Sequence, residues 1–430
     1  MGNKDRLWHV PKRETAMLPI NRLVVFSALA VLSLCLTSPA IAATFNVFTS
    51  SELRAALTTA ATNGQDDEIV LGPGTYATNG TTFAFLSNEQ NTLTIRGAVG
   101  TTRDQIVFDG GGNTRVLDFG CIGTCGAITL QGLTIQRGNS SAFSTVSGGK
   151  ASAVATTSNL TLSDTSFLGN VGGYGILLNS SNSSITSTPT LTIANSTFSN
   201  NTATFGPVVQ GLGSLTANIT NSKFADNTSS NGNQIISALY VSATNSTFTG
   251  NNGTSLQGAE ITVTSSTFSN NTGAGGGALS GGYVITVFSS TFNNNSSTTG
   301  GAICACGRSV SIVKVTDSVF MNNKAAFGGA VYAGSGTVTN STFEGNFSSG
   351  DGGAIGGNAT LTNSIFRNNT AANSGGAVWG QGSTYGSTFI GNVATSGGAI
   401  FGGRRITTAR SPVAAGGGFF FGSHGGPVMR

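Results

Sequence analysis

Residues 341–355 read STFEGNFSSGDGGAI, and near-copies of that string return down the chain. A unit rewritten at a nearly constant interval confines a chain to repeat architectures before any other property is weighed. Aligned on the recurring Phe there are ten copies, centred on Phe167, Phe198, Phe224, Phe248, Phe268, Phe292, Phe320, Phe343, Phe366 and Phe389. The interval runs from 20 to 31 residues and settles at 23 over the last three steps. Three residues after each Phe stands an Asn: Asn170, Asn201, Asn227, Asn251, Asn271, Asn295, Asn323, Asn346, Asn369 and Asn392. The position just before that Asn is always Gly, Asn or Asp, the types that tolerate a left-handed backbone, so a bend belongs there.

Five or six residues further on, the last six copies carry Gly-Gly-Ala and then Leu, Ile or Val, as in Gly300-Gly301-Ala302-Ile303 and Gly397-Gly398-Ala399-Ile400. The Gly pair lets the backbone turn and pass close to neighbouring chain. Ahead of each Phe lies a period-2 stretch such as Leu191-Thr192-Ile193 or Thr360-Leu361-Thr362, which reads as a short strand with one buried face. Short strands, tight bends and a period near 23 describe one coil of a parallel β-helix. No coil buries its own apolar face; coils stacked at about 4.8 Å put Phe on Phe and Ile on Ile. Asn above Asn then permits a ladder of side-chain amide bonds along the axis. Only 8% of residues are charged, which suits the scheme, because like charges one coil apart would repel. Where charges do occur in the repeat, the structural role suffices. Asp226 takes the bend before the Asn. Asp164 and Asp317 stand where other copies have Asn195, Asn221 or Asn245. Glu344 and Arg367 lie one coil apart as an exposed ion pair worth little.

The two ends differ from this pattern. Lys4, Arg6, Lys12, Arg13 and Arg22 precede an apolar run over 23–36 and the small-residue site Ala40-Ile41-Ala42, the layout of an export signal. At 14 residues the run is short for a membrane anchor. With those basics removed the remainder is nearly neutral and has no basic stripe, which argues against nucleic-acid binding despite a pI near 8.9. Thr49 with Glu52 makes a capping box, and Leu53, Ala56, Leu57 and Ala60 follow at helical spacing. An amphipathic helix covering the open first coil is therefore expected, since exposed sheet edges need cover. Residues 69–139 supply degenerate coils, among them Leu93-Thr94-Ile95 and Leu133-Thr134-Ile135. After Phe401 the pattern stops. The fold expected is all-β: a right-handed parallel β-helix with an N-terminal capping helix. Its parts are a signal peptide over 1–42, the helix over 43–402 (cap and degenerate coils to 139, repeat coils from 140) and an irregular tail over 403–430.

Chemistry is hard to place on this chain. Its histidines are His9 and His424, in the signal and the tail, so the body has no His-based triad and no His-ligated metal. Residues 273–277 (GAGGG) lack the Lys-Ser/Thr of a phosphate loop. Cys121, Cys125, Cys304 and Cys306 follow the signal. Their C-x3-C and C-x-C spacings fit zinc poorly, leaving local disulfides or buried thiols, and sequence does not fix connectivity. The densest ionisable group is Arg103, Asp104, Asp109, Arg115 and Asp118. A uronan lyase would need such a cluster to hold calcium beside a basic residue, but Asp109-Gly110-Gly111-Gly112-Asn113 also reads as a turn. No catalytic, cofactor-binding or metal-ligating residue is nominated.

The F-x-x-N and G-G-A-[ILV] units resemble the repeats of polymorphic outer membrane proteins, first described in chlamydiae. The segment Ser51-Glu52-Leu53-Arg54-Ala55-Ala56-Leu57, with Asp67-Glu68-Ile69-Val70-Leu71 and Gly74-Thr75-Tyr76 after it, is similar to the N-terminal CSLREAI module, without its Cys. Together these cover roughly residues 45–402. The resemblance implies a pectin-lyase-like β-helix exported to the cell envelope or outer membrane, or released, and acting in adhesion. Its partners would be a host or neighbouring-cell surface or its glycans, with no cofactor. Full-length members usually end in an outer-membrane β-barrel, and no run of alternating ten-residue strands follows Phe389, so release, another display route or a truncated reading frame is expected. The alternative function is a pectate-lyase-like polysaccharide lyase, since the same fold hosts those enzymes. For about 15 coils the binding face would extend about 70 Å.

Overall fold

A computed structural model describes residues 42–402 except 122–125, 141–150, 174, 176, 181–188, 213, 231–233 and 308–310, together with 405–407. Residues 1–41, where the signal is expected, and most of the tail, with Arg404, Arg410, His424 and Arg430, lie outside the described residues, as do Cys125 and the Cys121 side chain. The chain winds as an all-β, right-handed parallel solenoid of about 13 turns, with every strand pairing in the described register parallel. That is fewer than the 15 coils expected, because Ala43–Val47 and Arg405–Thr407 are single strands of incomplete end coils.

The coil Thr190–Ala194, Thr197–Ser199, Thr202–Ala203, Val209–Leu212 shows how the repeat is built. Its first strand buries Leu191 and Ile193, its second buries Phe198, and left-handed residues turn the corners at Asn195 (φ 52°) and Asn200 (φ 55°). The same two corners recur coil after coil: Asp164, Asn221, Asn245 and Asp317 occupy the first, and Gly169, Asp226, Asn322 and Gly391 the second, all at positive φ. These are the residue types that adopt that conformation at least cost. At the Gly-Gly turn the first glycine is left-handed, as at Gly352 (φ 68°). The second needs no side chain for another reason: a Cβ on Gly353 would overlap the Gly376 carbonyl oxygen of the next coil.

Three ladders run up the interior. The ten Phe rings stack in one column with centroids 4.4–5.0 Å apart and planes within 2–10° of parallel. Each is fully buried or 1% exposed, worth about 1.5–3 kcal/mol per side chain. The Asn column is saturated. Asn323 Nδ2 donates to Asn346 Oδ1 (3.0 Å) and to the Phe292 carbonyl (3.0 Å), while its Oδ1 accepts from Asn295 N–H (3.0 Å) and Asn295 Nδ2 (3.0 Å). Rungs of this form run from Asn170 to Asn392. A third ladder was not expected: the Ser two residues before each Phe. Ser318 Oγ accepts from Ser290 N–H (3.0 Å) and donates to its own Thr316 carbonyl (2.7 Å). The column continues from Thr165 to Ser387. Each hydroxyl thus satisfies a backbone donor that the sharp bend would otherwise leave unpaired inside.

Before residue 140 the coils keep the columns but change the side chains. Tyr76, Phe108 and Ile135 lie in register below Phe167. Leu93 and Ile95 belong to the other strand, so the two degenerate motifs sit on different faces. The helix Ser50–Ala60 carries the full capping box, with Thr49 Oγ1 accepting from Glu52 N–H (3.2 Å) and Glu52 accepting from Thr49 N–H (3.1 Å). Leu53, Ala56, Leu57 and Ala60 are its buried face. Among the described residues no helix is long and apolar enough to cross a membrane, a statement that does not touch β-barrels.

Candidate functional site

The densest charged group of the sequence is taken apart by the fold. Asp109 is 4% exposed and is gripped by Arg137 through Nε (2.9 Å) and Nη2, by Gln136 Nε2 (3.1 Å) and by Gly111 N–H (2.8 Å). Burial alone would raise this carboxyl; the bonds from Arg137, Gly111 and Gln136 outweigh it and hold the pKa below the ordinary range. The same pair raises Arg137. Arg115 instead bonds Asp118 (2.7 Å), and Arg103 reaches Asp164 (3.5 Å) one face away. Asp109, Asp118 and Arg103 thus each have a local partner of their own. Asp67, near Asp66 and Glu89, is raised by burial despite a bond from Asn63. Among the described residues no three His, Cys, Asp or Glu gather closely enough to hold a metal.

Arg137 was invisible to the sequence reading, because its carboxylate lies 28 positions upstream and only coil register joins them. The repeat's own ions have structural parts. Asp164, Asp226 and Asp317 sit at left-handed corners, and Arg367 pairs with Glu344 at 3.2 Å with both side chains well exposed. Cys304 and Cys306 form a disulfide. Asn-x-Ser/Thr triplets at Asn227, Asn295 and Asn346 belong to the ladder, their amides fully buried.

What remains facing outward is polar and ordered. One column of outward residues on the first strand runs Thr94, Thr129, Thr161, Thr192, Asn218, Ser242, Thr262, Thr286, Lys314, Thr337, Thr360, one residue per coil. On the Phe strand Thr247, Thr267 and Thr291 do the same. On the strand after Gly-Gly the column at the outward register is different: Gln210, Ser237, Gln257, Ser280, Cys304, Tyr332, Gly356, Trp379, Phe401, with Cys304 and Gly356 themselves buried. It contains no acid or base. Hydroxyls and amides thus give way toward the C-terminal coils to aromatic rings.

Two segments of the chain, residues 289–306 and 363–381, match the family model of the Chlamydia polymorphic membrane protein repeat. The likeness to that repeat is confined to these two segments. Each matched segment holds a repeat strand with its Phe and Asn and the Gly-Gly turn that follows; residues 51–76 lie outside both. No curated protein sequence matches the chain. Among solved structures it is similar to the catalytic domain of a GH87 alpha-1,3-glucanase in complex with tetrasaccharides (9% identity, 88% of this chain and 70% of that one, TM-score 0.40). It is also similar to the Azotobacter vinelandii mannuronan C-5 epimerase AlgE6 A-module (13%, 85% and 95%, 0.36). A third is the PL6 family alginate lyase AlyGC (11%, 86% and 79%, 0.27). At such identities and scores the likeness says nothing of this chain's chemistry.

Proposed function

We propose that the chain is an exported adhesive scaffold of the polymorphic membrane protein type, displayed at the cell envelope or released. Its long Ser/Thr/Asn-covered flank would bind a host or neighbouring-cell surface. The observation that carries this reading is the outward column of hydroxyls and amides, one residue per coil over eleven coils and interrupted once, by Lys314. Many weak polar contacts presented at a fixed interval add up by avidity. The helix Ser50–Ala60 would cover the first coil and the 1–42 segment would direct export. Deleting residues 45–60 should turn a monomer into aggregates on size exclusion; an unchanged monomer counts against the cover.

The direct test presents purified protein to cultured cells. Saturable binding competed by excess unlabelled protein is expected, and binding no greater than that of an unrelated β-helix overturns the reading. Uronan lysis has no residue cluster behind it, since Asp109, Asp118 and Arg103 each hold a separate partner. Incubation with polygalacturonate and calcium should give no unsaturated product by ultraviolet absorbance; sustained product formation would replace the scaffold reading with an enzyme.

A further inference from the structure

The neutral outward column of the last coils narrows the class of partner. Tyr332 and Trp379 stand in the same register two coils apart, separated by Gly356, which at the strand spacing is roughly 10 Å. The glycine is what gives Tyr332 its pose. A Cβ at Gly356 would come within 2.9 Å of Tyr332 Cδ2, so the tyrosine ring lies over the bare glycine backbone, along the face rather than away from it. Trp379 follows in the next rung and is 36% exposed. Beside them Asn358 is exposed and its Oδ1 accepts from Gln381 N–H at 2.7 Å, which fixes the carboxamide and leaves its NH2 as a donor at the edge of the strip.

We infer that Tyr332 and Trp379 form a stacking strip for a neutral, extended glycan running along the solenoid axis. The face of an aromatic ring carries partial negative charge and attracts the axial C–H groups of a pyranose. Two rings on one register line meet a chain that runs along the axis from the same side, so both stack on the same face of the polymer. Charge selects the neutral polymer. The column from Gln210 to Phe401 offers no cation, and the charged residues of the coils over 312–379, Lys314, Asp317, Lys324, Glu344, Asp351 and Arg367, lie on other strands or turns. Uronate carboxylates laid on this strip would lose water without gaining a partner. The inference deepens the adhesive reading by naming a ligand class, yet the strip can bind glycan whether or not the protein attaches to cells.

The test is affinity electrophoresis of the whole chain in gels containing hydroxyethylcellulose, with polygalacturonate as the charged counterpart. Retardation is expected in the first and not in the second. Trp379→Ala and Tyr332→Ala should each weaken it about tenfold, Trp379→Tyr should restore most of it, and Tyr240→Ala, on a neighbouring face, should leave it unchanged. Because the chain has two tryptophans, Trp8 and Trp379, a glycan-induced emission shift abolished by Trp379→Phe gives a second readout. Equal retardation by both polymers, none by either, or indifference to both aromatic substitutions overturns the inference. Cell binding that fails while gel retardation stands would sink adhesion and keep the strip.

Discussion

Residues 43–139 and residues 160–392 wind the same coil and hold it by different means. The earlier coils rely on single-use contacts. Arg137 clasps Asp109, Arg115 clasps Asp118, Arg96 clasps Glu68, and Arg54 gathers the carbonyls of Thr78, Thr81 and Thr82. Their rings meet at assorted angles, 27° for Tyr76 with Phe108 and 84° for Phe83 with Phe108. The Tyr76 hydroxyl, within reach of the Val47 and Gly72 carbonyls, has its pKa pushed up to about 12, by burial and then by Glu52. The later coils reuse one solution ten times. A ring that packs on a copy of itself needs no tailored neighbour, and an amide that both donates and accepts can be extended indefinitely. A carboxylate cannot, since it only accepts. Charge is therefore dense where the coils are irregular and thins out where they repeat.

The comparison breaks first at Phe320. Phe320→Ala opens a hole between Phe292 and Phe343 in a stack spaced by 4.6–4.7 Å, and should cost about 3–5 kcal/mol by urea unfolding. In a solenoid each coil leans only on its neighbours, so hydrogen exchange should rise around the substituted coil before it rises at residues 43–139. A loss under about 1 kcal/mol would mean that the column does not bear on stability. The serine ladder gives a smaller effect. Ser318→Ala removes the acceptor for Ser290 N–H and the donor to the Thr316 carbonyl, leaving a buried N–H unpaired for about 1–3 kcal/mol. Ser318→Thr, which keeps the hydroxyl as Thr165 does at the first rung, should recover part of it. Equal loss in both variants would show that size, not hydrogen bonding, governs the site.

How much of this the sequence disclosed follows from the same contrast. The Phe, Asn and Gly-Gly columns were legible because identity at a fixed interval is visible along a string, and stacking identical residues is what the fold does with them. Ser196, Ser222 and the seven serines that follow repeat as faithfully, two positions before Phe, yet passed as polar filler. Nothing in a hydroxyl's presence tells whether it faces water or a buried amide. Leu93-Thr94-Ile95 and Leu133-Thr134-Ile135 looked alike but lie on different faces, since alternation reveals that one side is buried and not which side of the coil. The aromatic strip was hidden for a related reason. Tyr332 and Trp379 are 47 positions apart and become neighbours only through the register that places Gly356 between them.

The smallest expected effect sharpens the other side of the comparison. Arg137→Gln removes the bidentate grip on Asp109 and keeps a polar side chain on a largely exposed position (61%). Asp109 has its pKa lowered in the fold, so the stability it contributes is present above its unfolded value, about 3.9, and fades as pH falls through the lower folded value. The variant should therefore be less stable than the parent at pH 7, and the gap should close as the medium is acidified below about pH 4. The repeat coils predict the opposite behaviour for Ser318→Ala, whose deficit involves no titrating group and should persist across that range. Urea midpoints measured at pH 7 and pH 3 for both variants make the distinction. If the Arg137→Gln deficit is as large at pH 3 as at pH 7, the early coils are held there by packing of the arginine stem and not by its charge. If the Ser318→Ala deficit fades instead, the serine ladder is coupled to an ionisable group of the repeat, Asp317 at the adjacent corner being the first to examine.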